Sequence, residues 1–97
     1  MIEPIVIEGI RVPFMIENNA RLLKQAKTLL DSFINALPKS EFPLMIKIEG
    51  YTCDIGNAAY NLDLSIRRAK IVANYMRRNS KITLNFEIVG HGENDPL

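Results

Sequence analysis

Ninety-seven residues, 47% hydrophobic and 24% charged, describe one small globular domain with material for one core, which excludes a multidomain enzyme. Twelve Lys and Arg stand against 11 Asp and Glu, a net charge of +1, so no global field pulls the chain toward nucleic acid or acidic lipid and any charged partner must be read locally. One cysteine forbids an internal disulfide and a cysteine-based zinc site, one histidine argues against other transition-metal sites, and no apolar run approaches the roughly 20 residues of a membrane-spanning helix.

Met1 to Ile10 carries acids where a signal peptide carries positive charge, and the chain reads as a domain cut from something longer. Pro4 to Ile7 is extended and ends at Gly9, a short hairpin arm. Ile10, Val12, Phe14 and Ile16 alternate with Arg11, Pro13 and Met15, the period of a strand with one buried face. Pro13 lacks an amide hydrogen, which favours an edge position. Asn18 and Asn19 are helix caps, and Leu22, Leu23, Ala26, Leu29, Leu30, Phe33, Ile34 and Leu37 follow at the helical period until Pro38 stops the run. That stripe reads as a core face.

Leu44, Ile46 and Ile48 alternate with Met45, Lys47 and Glu49, which predicts a second half-buried strand. A polar loop, Gly50 to Gly56, leads into a second amphipathic helix marked by Leu64, Ala69, Val72, Tyr75 and Met76 and closed by Arg77 and Arg78. Ile82, Leu84, Phe86 and Ile88 supply the third strand. Alternating strands cover only one face of a sheet. The expected fold is therefore α+β, a two-layer βαβαβ sandwich with a mixed sheet and both helices on one side, spanning residues 1–97 as one domain.

The Gly50 to Gly56 loop sits at a strand-to-helix joint, where ligands often bind. Asn61, Leu64 and Arg68 share one face of the helix that follows. A carboxylate in the loop opposite the Arg68 guanidinium makes a dipolar pocket suited to a zwitterion, the Arg fork taking a carboxylate and the Asp an ammonium group. The plainer reading pairs Arg68 with Asp54 or Asp63 as a surface contact contributing about 0–1 kcal/mol. Cys53 with His91 as its base would make a nucleophile. His91 in a glycine turn needs no such role, and no third orienting residue is identifiable, so no enzyme and no cofactor are expected.

Gly50-Tyr51-Thr52, Ile55-Gly56, Tyr60-Asn61, Leu64-Ser65, Arg67-Arg68-Ala69 and Gly90-His91-Gly92-Glu93-Asn94-Asp95-Pro96 together resemble the OmpA-like peptidoglycan-binding domain family over almost the whole chain. The resemblance implies a βαβαβ sandwich that binds the cell wall without cleaving it. Its ligand is the peptide stem, above all the free amino-acid end of diaminopimelate. Arg68 then holds the ligand carboxylate, Asn61 and Leu64 belong to the site, and backbone groups around Glu17 and Asn18 complete the pocket wall. It implies a periplasmic location, attached to the outer membrane through parts of a longer protein that also supply any membrane contact. No nucleic-acid partner and a monomer or weak homodimer are expected.

One departure stands out. The family's ligand-binding Asp falls on Cys53, and Asp54 occupies the next position. Either Asp54 swings into the role, or Cys53 leaves an altered site, or wall binding has been lost. In the last case the same fold serves as an assembly module with a vestigial pocket, and the exposed sheet face with Arg11, Met15, Met45 and Lys47 is the surface to test.

Overall fold

The computed structural model of the chain describes residues 5–12, 16–17, 21–22, 24–52 and 57–92, with the backbone alone at 11–12, 16–17 and 21–22. Strands β1 (Ile5–Ile7), β2 (Ile10–Val12), β3 (Ile16–Glu17) and β4 (Arg21–Leu22) precede helix α1 (Lys24–Asn35), strand β5 (Leu44–Tyr51), helix α2 (Ala58–Asn79) and strand β6 (Leu84–Gly92). A four-stranded sheet runs in the order β2-β1-β5-β6, and β3 pairs with β4 in a separate hairpin. β1 is antiparallel to β2 and β5, whereas β5 and β6 are parallel and joined through α2, so the sheet is mixed.

The first strand differs from expectation. Ile5, Val6 and Ile7 form an inner strand of the sheet with all three side chains buried, not an accessory arm. A three-residue apolar run has no polar face to present to water, so burial on both sides is its favourable solution. The expected strand from Ile10 to Ile16 is divided: Ile10–Val12 forms the sheet edge, Ile16–Glu17 pairs elsewhere, and Pro13 to Met15 lie outside the described residues. Ile10, expected in the core, is 57% exposed on the sheet's edge strand, which among the described residues pairs only with β1. Its pairing with Ile7 is fixed by a two-residue turn in which Glu8 (φ 49) and Gly9 (φ 78) are both left-handed. Glu8 takes that costly conformation while donating its backbone N–H to Lys47 O at 2.9 Å and accepting from Lys47 N on Oε2 at 2.5 Å.

Both helices pack on one face of the sheet. Ile5, Ile7, Ile46, Ile48 and Leu84 from the sheet share one core with Ala26 and Leu30 of α1 and Ala69, Val72, Ala73 and Met76 of α2. The second strand alternates as its sequence predicts, with Ile46 and Ile48 buried and Met45 and Lys47 exposed. α1 begins later than its stripe, since Leu22 belongs to β4, and Leu29 is half exposed. The expected caps Asn18 and Asn19 are outside the described residues. At the other end, Ala36 N and Leu37 N donate back to Ser32 O and Ile34 O, closing the helix before Pro38. α2 is capped by Asn57, whose Oδ1 accepts from Tyr60 N at 3.0 Å, and it carries Arg77 and Arg78 at its negative end. Tyr75 of α2 donates to Asp31 Oδ1 of α1 at 2.7 Å, tying the helices together.

Candidate functional site

The parallel strands β5 and β6 end together, with Gly50 opposite Gly90 and Tyr51 opposite Gly92 after a register shift. The start of α2 lies directly on those ends. A Cβ on Gly50 would stand 2.2 Å from Ser65 O, and one on Gly90 would stand 2.7 Å from Ser65 Oγ, so only glycine lets helix and sheet approach this closely. Ser65 exploits the contact: its Oγ accepts from Gly92 N at 3.0 Å and donates to Leu62 O at 2.7 Å. Thr52 N donates to Gly92 O at 2.9 Å and draws the loop start to the same place.

This clamp orients the face that holds Asn61, Leu64 and Arg68. Asn61 and Leu64 are each 1% exposed, so they form a floor, whereas Arg68 is half-buried with Nη1 shielded from solvent. α2 also touches β4, which brings the β3–β4 hairpin, and with it the Glu17 backbone paired to Arg21, against the helix. Asn18, Cys53 and Asp54 lie outside the described residues. Asp63 does not wait for Arg68, since it accepts from Arg67 Nε at 2.7 Å in an exposed pair one helical turn apart.

Thr52 was missed by sequence reasoning. Its side chain is 5% exposed, yet Oγ1 has no hydrogen-bond partner among the described residues. A buried hydroxyl left unpaired costs about 1–3 kcal/mol, which marks Thr52 as a position whose hydrogen-bonding capacity the described residues do not use. The available signal was its place immediately after a strand end.

His91 is a correction. Rather than an exposed ring in a glycine turn, it sits in β6, with Nε2 2.9 Å from Glu49 Oε1 and its ring stacked on Tyr51 at 4.4 Å between centroids. Alternation along β6 places His91 on the same outer face as Asn85, Glu87 and Val89, where Glu49 and Tyr51 of β5 also lie. Gly50 and Tyr51, expected in the loop, likewise belong to β5.

A two-layer sandwich whose parallel strand ends meet a capped helix carrying a half-buried arginine defines a class of small α+β domain. Residues 16–97 match the OmpA family, and the chain belongs to it. The chain is similar to outer membrane protein P5 of Haemophilus influenzae, 33% identical over 78 residues, which covers 80% of this chain and 21% of that protein. It spans about a fifth of the length of that curated relative.

Proposed function

We propose that the chain binds peptidoglycan non-covalently through the peptide stem and acts as the wall-binding part of a periplasmic, outer-membrane-attached protein. The reading rests chiefly on Arg68, a half-buried side chain with Nη1 shielded from solvent on the helix face that also carries Asn61 and Leu64. Arg68 takes the carboxylate of the diaminopimelate amino-acid end in a forked, charge-assisted pair. The ammonium group goes to the acid of the loop, Asp54 with Cys53 beside it, and the Thr52 hydroxyl lies at the same loop start. Backbone groups at Glu17 and Asn18 close the far wall. Membership of the OmpA family and similarity to a protein named for the outer membrane support the envelope setting.

Co-sedimentation with insoluble peptidoglycan tests the proposal. The parent chain pellets with the wall, and Arg68→Ala loses at least ten-fold in affinity, the scale of one charged hydrogen-bonded contact of about 1.5–3 kcal/mol. Undiminished pelleting of Arg68→Ala sinks the site. A parent that never pellets but self-associates at low concentration points instead to the assembly role of the same fold.

A further inference from the structure

Away from the candidate pocket, α2 carries a charge pattern that packing does not require. From Leu64 to Lys81 the chain has six basic residues, Arg67, Arg68, Lys70, Arg77, Arg78 and Lys81, and no Asp or Glu, leaving six basic and all 11 acidic residues elsewhere. The +1 net charge therefore hides a +6 segment set against −5 in the remainder. At 3.6 residues per turn, Arg67, Lys70, Asn74, Arg77 and Arg78 fall within a sector of roughly 100°, and all are exposed. Lys81 continues the row just past the cap at Ser80. Ser65, Ala69, Val72, Ala73 and Met76 occupy the buried side.

The described residues neutralise little of this row. Among the described residues Arg67 pairs with Asp63, whereas Lys70, Arg77, Arg78 and Lys81 have no carboxylate within 4.0 Å. Arg77 is held in place over the Phe86 ring at 5.0 Å and by donation to Asn74 Oδ1 at 2.8 Å. Like charges one turn apart repel, and a solvated helix face relieves this by mixing signs. An anionic surface facing the row relieves the same repulsion.

We infer that this face of α2 docks on a phosphate-bearing bilayer surface. From Arg67 to Arg78 the row is about 17 Å long at 1.5 Å per residue. It is convex, so it encloses no small anion; it matches an extended planar array of charges. The choice of a bilayer over other extended anions rests on the envelope location proposed above. The contact is electrostatic and peripheral, because the sector contains no apolar side chain to insert. It is also separate from the pocket, since Arg68 lies outside the sector.

Vesicle co-sedimentation of the 97-residue chain tests this, with phosphatidylglycerol–phosphatidylcholine vesicles against phosphatidylcholine alone, at about 50 and about 300 mM salt. Binding is expected only to the anionic vesicles and at the lower salt. Each basic residue near the surface contributes about five-fold, so Lys70→Gln, Arg77→Gln and Arg78→Gln together lower partitioning about 100-fold. That variant still pellets with peptidoglycan, and Arg68→Ala still binds vesicles, which separates failure of this proposal from failure of the wall-binding reading. Equal binding to both vesicle types, binding by the triple variant within two-fold of the parent, or competition by soluble polyglutamate as effective as by anionic vesicles overturns the bilayer assignment. Far-UV circular dichroism of each variant establishes that it is folded.

Discussion

Replacing Gly50 with alanine adds one methyl group where the fold has no space for it. The new Cβ would lie 2.2 Å from Ser65 O, about 1.2 Å short of ordinary van der Waals contact, and 3.0 Å from Ser65 C. Both atoms are backbone, so no side chain can rotate away. Opening the gap means lifting α2 from β5, and Ser65 cannot move alone because its Oγ holds Gly92 N and Leu62 O. Overpacking of this kind costs about 1–3 kcal/mol, and an obstacle made of backbone places Gly50→Ala near 3 kcal/mol. At about 2.1 cal/mol/K per residue, a 97-residue domain unfolds with an entropy near 0.2 kcal/mol/K, so Tm falls by about 15 °C. Gly9→Ala is the control: nothing lies within 4 Å of its Cβ, and only the left-handed φ of 78 is strained, for about 1 kcal/mol and about 5 °C. Thermal unfolding followed by far-UV circular dichroism compares the two. A Gly50→Ala Tm within 2 °C of the parent, or above that of Gly9→Ala, refutes the close approach of α2 to β5.

Ser65→Ala removes the acceptor of the buried Gly92 N–H, and urea unfolding should show a loss of about 1–3 kcal/mol. Thr52→Val replaces an unpaired buried hydroxyl with a methyl group of the same shape; Tm should hold or rise while pelleting with peptidoglycan weakens. Tyr75→Phe cuts the tie to Asp31 and should cost about 0.5–1 kcal/mol at neutral pH. Its hydrogen bond to Asp31, together with burial, raises the Tyr75 pKa above 10.0 and so favours the neutral phenol in the folded state. The parent's advantage over the variant is therefore complete below pH 10 and shrinks as the pH rises through the folded-state value, which denaturant titrations on either side of pH 10 can measure.

The parts of the fold governed by repeating local patterns were legible in the sequence. Leu44, Ile46 and Ile48 point into one core, and Leu64, Ala69, Val72 and Met76 form the buried side of one helix. What escaped was set by non-local pairing. Nothing local in Ile5-Val6-Ile7 says that it pairs with β5 on one side and β2 on the other, since a short apolar run has no period to read. Leu22 fits a helical stripe equally well, yet pairing with Ile16 takes it into β4. The glycines flanking His91 suggest a turn, whereas β6 runs through them in parallel with β5 and alternation then places His91 beside Glu49 and Tyr51, a pairing that no neighbour in sequence announces.

In the candidate site, the shared face of Asn61, Leu64 and Arg68 follows from helical spacing alone, and the structure carries it. The clamp that positions that face does not, because Gly50, Gly90 and Ser65 meet only once β5 and β6 are in parallel register. Thr52 becomes notable for a missing partner, which no sequence displays.

The most direct test of the proposed site is a titration of the 15N-labelled chain with diaminopimelate, followed by its assigned amide resonances. Perturbations clustered at Thr52, Asn61, Leu64 and Arg68 in the parent, and absent from Arg68→Ala, are the predicted result. Perturbations confined to other surfaces, or the same shifts with the same affinity in Arg68→Ala, would contradict it.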